Sequence, residues 1–154
     1  MPAVQTSYSE RIAQAVEGQV GNETNWDADT KIVETAAGIG FGKAVSQGTS
    51  DKQIVVGGAL ADFVGITIRD ITLPASQNDT FAEGDEVGVL TEGDIWVKPS
   101  VEVVAGDPVH YNATTGVFTN TGGSGPIKGA RYMTSNGGAN GLALVRLGGG
   151  LPPN

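Results

Sequence analysis

The chain contains no cysteine and a single histidine, His110. The first absence excludes disulfides and thiolate metal sites, so burial, backbone pairing and oligomeric contacts must hold the fold. The second excludes a multi-histidine metal centre within one chain. Aromatic residues make up only 6% of the sequence, and nine Lys and Arg are scattered among seventeen Asp and Glu, for a net charge of −8. Without a basic cluster to neutralise phosphates, contact with DNA or RNA is not expected. No apolar run approaches the roughly 18 residues a membrane helix needs, and no charged stretch followed by an apolar one opens the chain. A soluble chain with no visible export signal and no membrane partner is the expectation.

What is abundant is glycine: 24 among 154 residues, more than twice the background of about 7%. That mixture suits many turns and short strands, in a length that allows one domain burying roughly 70% of its unfolded surface. Phe81 to Tyr111 shows the pattern best. Gly84-Asp85, Gly93-Asp94 and Gly106-Asp107 each precede a run rich in Val, Ile, Trp or Tyr, as strand-opening turns do. Between them Val87 and Val89, Ile95 and Val97, and Val101 and Val103 alternate with period two. The reading is a β-meander. Further strands are expected around Ile39–Phe41, Lys43–Val45, Gln53–Val56, Phe63–Ile68 (with Val64, Ile66 and Ile68 on one face), Val117–Thr119, Ile127–Met133 and Leu142–Leu147. About ten short strands with turns every eight to twelve residues imply a mainly β fold, a small β-barrel or jelly-roll-like domain.

Residues 1–34 read differently. They are polar, lack alternation, and form an extended N-terminal arm ahead of a β domain at 35–147 and a loose tail at 148–154. Ser7 to Glu10 fits a capping box, and Tyr8, Ile12, Ala15 and Val16 fall on one helical face before Gly18. Such a segment suits ordering on a partner. Trp26, in the arm with no local core, is a candidate interface anchor. Trp96 lies in a strand with Ile95 and Val97 facing the other way, either in the core or on an outer face.

Chemical signatures are missing. Gly38, Gly40 and Gly42 do not match G-x-G-x-x-G and no helix follows, so glycine there is read as permitting close backbone approach. His110 faces opposite Val109 and Tyr111, an exposed structural residue with no partnered nucleophile. Glu83, Asp85, Glu92, Asp94 and Asp107 match no calcium loop, and nothing indicates the cleft that a hydrolytic carboxylate pair needs. No enzyme activity, cofactor or metal is expected.

MPAVQTSYSER at the start, ETAAGIGFGKAV at Glu34 to Val45, FVGITIRD at Phe63 to Asp70, the meander, AGDPVHYNATTGVFTN at Ala105 to Asn120, and IKGARYMTS with GLALVRL together resemble the structural cement, or capsid decoration, proteins of tailed bacteriophages. The resemblance spans nearly the whole chain and rests on the order of these segments. It implies a virion protein on the outer capsid surface, made in the host cytoplasm. Such a protein binds the major capsid protein at capsomer junctions as a homodimer or homotrimer and stabilises the shell. Tyr8, Arg11, Ile12, Val16 and Trp26 are the candidate contact residues. A carbohydrate-binding or other ligand-binding β-sandwich on a virion surface is the alternative, motivated by exposed turns and Trp96.

Overall fold

The computed structural model describes residues 15–22 and 26–148. Eleven strands follow in order: β1 (Asp27–Val33), β2 (Ile39–Gly40), β3 (Ala44–Gln47), β4 (Gln53–Val56), β5 (Phe63–Thr67), β6 (Thr80–Phe81), β7 (Glu86–Val97), β8 (His110–Tyr111), β9 (Phe118–Thr119), β10 (Arg131–Tyr132) and β11 (Ala143–Leu147). Two single 3-10 turns, Leu60–Asp62 and Ala75–Gln77, are the only helical pieces among the described residues. The fold is mainly β, as the glycine-rich, alternating sequence implied.

Seven strands form one sheet in the order β1-β4-β3-β5-β7-β11-β10, and β1 also pairs with β7. The first five strands therefore curl round until β1 meets β7, while β11 and β10 extend outward from β7. The sheet as a whole is not a closed barrel. β2 with β6 and β8 with β9 make two small ribbons beside it. The strand signals begin earlier than expected: β1 starts at Asp27, within the stretch assigned to the arm, and runs antiparallel to β7 from Asp27↔Glu92 to Ile32↔Glu86. Its polar residues, Asp27, Asp29, Thr30 and Lys31, concealed the strand.

Two cores result. Val33, Val45, Ile54, Val87 and Val89 fill the curled part, capped by Ile39, Phe41 and Phe81. Ile66, Leu90, Ile95, Val97, Tyr111, Phe118, Tyr132 and Val145 form the other. Val64 and Ile66 thus belong to different cores, although two residues apart. The reason is a one-residue shift in the β3–β5 register: Val45 pairs with Gly65 but Ser46 with Phe63, leaving Val64 as an extra residue that turns to the other face.

The meander reading needs a correction at Gly93-Asp94, which is not a corner. β7 is one 12-residue strand running through both residues. Opposite it Asp27 pairs with Glu92 but Ala28 with Leu90, leaving Thr91 as an extra residue. A one-residue bulge reverses which side chains face inward. Val87 and Val89 consequently face one core, and Ile95 and Val97 the other. Gly93, at φ 123, follows directly. In sequence, a bulge with glycine and a turn with glycine look alike.

Asp94 is correspondingly buried, with 5% exposure, and does not face solvent as a turn acid would. Its carboxylate accepts two hydrogen bonds from the Arg146 guanidinium, Nε at 2.7 Å and Nη2 at 2.9 Å, across the β7–β11 pair. The hydrogen bonds, then the charge, hold the guanidinium above its ordinary pKa. Arg146→Gln strands that carboxylate in a desolvated place. The Arg146 side chain is 41% exposed and water replaces part of its role, so the expected loss is about 1–2 kcal/mol at neutral pH. Urea melts of both proteins at pH 7 check this; an undiminished stability of the variant contradicts it.

The other two Gly-Asp pairs are turns, and they are built alike. Asp85 N–H donates to Ala82 O and Asp107 N–H to Val104 O, each at 3.0 Å. Asp85 Oδ2 accepts from Ala82 N–H at 2.9 Å and Asp107 Oδ2 from Val104 N–H at 3.0 Å. Gly84 at φ 86 and Gly106 at φ 97 supply the left-handed corner. Asn120 also donates to Asp107, and these bonds hold its carboxyl below the ordinary value.

Val101–Val103 is not a strand. The Asn136 side chain takes a strand's place, its Nδ2 donating to Val101 O and its Oδ1 accepting from Val103 N–H, both at 2.9 Å. Of the run Ile127–Met133 only Arg131–Tyr132 is strand, because Ile127 and Ala130 close a turn around Gly129.

Tyr111 and Tyr132 are both fully buried, yet their hydroxyls differ. Tyr132 Oη donates to Thr119 O at 2.8 Å, whereas Tyr111 Oη has no partner among the described residues. Tyr132→Phe should cost about 1 kcal/mol, and Tyr111→Phe should be neutral or stabilising. Burial, then the Asp107 charge, pushes the Tyr132 phenol above its ordinary value. Its contribution is therefore present below about pH 10 and fades as pH rises beyond it, a slope that Tyr132→Phe removes. Thermal melts of the two variants at pH 7 and pH 11 check both statements.

Candidate functional site

Tyr8, Arg11 and Ile12 lie outside the described residues; Val16 and Trp26 lie within them. From Ala15 onward the N-terminal segment is fastened to the domain. Gly18 N–H donates to Trp96 O at 2.7 Å, Trp96 N–H to Gln19 O at 2.9 Å, and Gly21 N–H to Asp94 O at 2.7 Å. Arg69 N–H donates to Gly18 O at 2.8 Å. Only glycine fits at position 18: at φ 81, an added methyl would stand 2.8 Å from Phe41 Cβ and 3.0 Å from the Arg69 nitrogen. Residues 15–16 are irregular and 17–18 form a turn, so the helical face expected over Tyr8 to Val16 does not extend to its last members. Ala15 is buried instead, at 6% exposure, while Val16 turns outward at 42%.

Beside Val16 lies a cleft of about 350 Å³, bordered by Phe41, Lys43, Arg69, Asp79 and Lys98. Lys43 Nζ meets Glu17 Oε1 at 2.5 Å. The Arg69 guanidinium stands 5.1 Å from the Phe41 ring centroid and 3.9 Å from Asp79. On a chain of net charge −8, cations from three separate segments and an exposed valine meet here.

Two residues beyond Arg69, Ile71 is 88% exposed. Its turn is fixed: Asp70 Oδ1 accepts from Thr72 N–H at 2.8 Å and from Thr72 Oγ1 at 2.6 Å. Those bonds, the hydroxyl's first, hold the Asp70 carboxyl below its ordinary value, so this geometry is supported above about pH 4 and weakens as pH falls. Ile71 escaped the sequence reading, which placed no strand and no candidate site between Asp70 and Asp79. The available signal was Asp-x-Thr, a side-chain-closed turn, with a large apolar residue in the middle. Trp26, 44% exposed, stands just before β1.

The remaining candidates fall apart as chemistry. Trp96 is half-buried on the outer face of β7, where it pairs with Leu144 and has Gly21 against its indole nitrogen. His110 Nδ1 bonds Gly122 O at 2.8 Å. No group of three or more metal-ligating side chains occurs among the described residues. Gly38, at φ 82, lies against the Phe81 carbonyl, a close backbone approach between β2 and β6.

No curated protein matches the chain in sequence. Among solved structures, the N base of head fiber gp8.5 of bacteriophage phi29 superposes with a TM-score of 0.45 at 12% identity, covering 80% of this chain and 94% of that one. The family described as Structural cement protein (E217 gp24/Pam3 gp6) matches residues 4–148. The chain therefore belongs to the phage structural cement proteins.

Proposed function

We propose that this protein binds the outer surface of a phage capsid at capsomer junctions, contacting the major capsid protein and further copies of itself, and so stabilises the shell. The family match over residues 4–148 carries the reading. The geometry supports it: the fastened segment from Ala15 borders a cleft where Val16, Lys43, Arg69 and Lys98 converge. Tyr8, Arg11, Ile12 and Val16, with Trp26 and Ile71, are the proposed contacts. The acidic chain suits a protein that meets other proteins and not packaged DNA. A dimer or trimer that touches several shell subunits gains avidity through effective concentration. Each bound copy favours the assembled shell by mass action. Synthesis in the host cytoplasm follows from assembly there.

Purified protein added to shells lacking it should give saturable density at symmetry-related positions on the outer surface. Density inside the shell, or none, would overturn the proposal.

A further inference from the structure

A second concavity shares no residue with the cleft beside Val16. It is an apolar groove of about 640 Å³ between the Leu60–Asp62 turn and the loop before β10, lined by Leu60, Ala61, Phe63, Pro126, Ile127 and Lys128. Its floor is firm, since Leu60 and Phe63 pack on the larger core and the Phe63 ring lies 5.6 Å from that of Tyr111. An apolar segment seated there would leave water together with the lining it covers, which is favourable.

The end of the described chain points to the occupant. Gly148 follows β11 and rests against Gly129, where an added methyl would lie 3.8 Å from the Gly148 Cα. Gly129 is the direct neighbour of Lys128 on the groove rim. The sequence continues as Gly149-Gly150-Leu151-Pro152-Pro153-Asn154. Three residues span up to about 10 Å, enough to bring Leu151 from Gly148 to that rim. Leu-Pro-Pro is apolar and loses little entropy on ordering, because proline fixes its own φ. Proline-rich segments enter aromatic-lined apolar grooves for this reason. The tether also matters: a short link gives an effective concentration on the order of millimolar, so a contact too weak between molecules forms within one.

We propose that the groove is the docking site for Leu151-Pro152-Pro153 of the same chain. The inference does not rest on the capsid reading. Leu151→Asp tests it without touching any strand. In NMR spectra of the full chain, the Leu60, Phe63 and Ile127 resonances should shift between wild type and Leu151→Asp, and stay in place in Asn154→Asp, which adds the same charge beyond the prolines. The wild-type shifts should be unchanged on dilution. Unmoved groove resonances in Leu151→Asp, or equal movement in both variants, would overturn the proposal. Dilution-dependent wild-type shifts would overturn it in favour of a neighbouring copy's segment.

Discussion

Gly65→Ala should yield little or no folded protein, while Gly88→Ala should fold normally. Both glycines sit in the interior of neighbouring strands, Gly65 in β5 and Gly88 in β7. A methyl on Gly65 would enter the van der Waals shell of the Leu90 carbonyl oxygen and stand 2.8 Å from Val89 Cγ1. Because the obstacle is backbone, relief requires β5 and β7 to separate, which breaks the pairs Ile66↔Leu90 and Thr67↔Val89. These pairs hold both cores together, so the expected cost is about 4 kcal/mol or more, a large share of the whole stability. At Gly88 the nearest atom to an added methyl is Ile68 Cδ1 at 3.7 Å, an ordinary contact. There alanine reduces the freedom of the unfolded chain and should be neutral or stabilising by about 0.5 kcal/mol. Circular dichroism and thermal melts of the two variants decide; a folded Gly65→Ala with a melting temperature near wild type contradicts the packing described.

Deleting residues 1–14 should leave a folded domain that decorates shells at least about tenfold more weakly, the loss expected when one arm of a multivalent contact is removed. The boundary matters. Deleting 1–34 would remove β1, empty the Val33 position of the smaller core, and unpair β7 from Glu86 to Glu92. Loss of binding in that variant would report damage to the fold. Cutting before Ala15 spares the bonds from Gly18, Gln19 and Gly21 to β7. Isothermal titration against undecorated shells, with a melt of the free protein as control, measures both halves. Undiminished decoration by the shortened protein would remove the arm from the binding surface.

Alternation and glycine made the β class and most strands legible, because a strand buried on one face writes its period into the sequence. β4, β5 and β11 were read nearly to the residue. Three features were not written that way. The bulge at Thr91 shifts the face of β7 without changing its composition. Asn136 substitutes for a strand through a side chain far away in sequence. β1 is polar at Asp27, Asp29, Thr30 and Lys31 and gains its identity from its pairing with β7. Of the proposed contact surface, Val16 and Trp26 were visible as apolar residues in a polar stretch. The cleft was not, since Lys43, Arg69 and Lys98 come together only through the sheet.

The cement reading makes one direct demand: the shell must be harder to take apart when this protein is on it. Calorimetry of shells lacking the protein, with and without saturating amounts added, measures that. The account predicts a higher shell melting temperature that rises with occupancy and levels off at saturation. Saturable binding with no change in the shell transition would contradict it, leaving a decoration that does not cement.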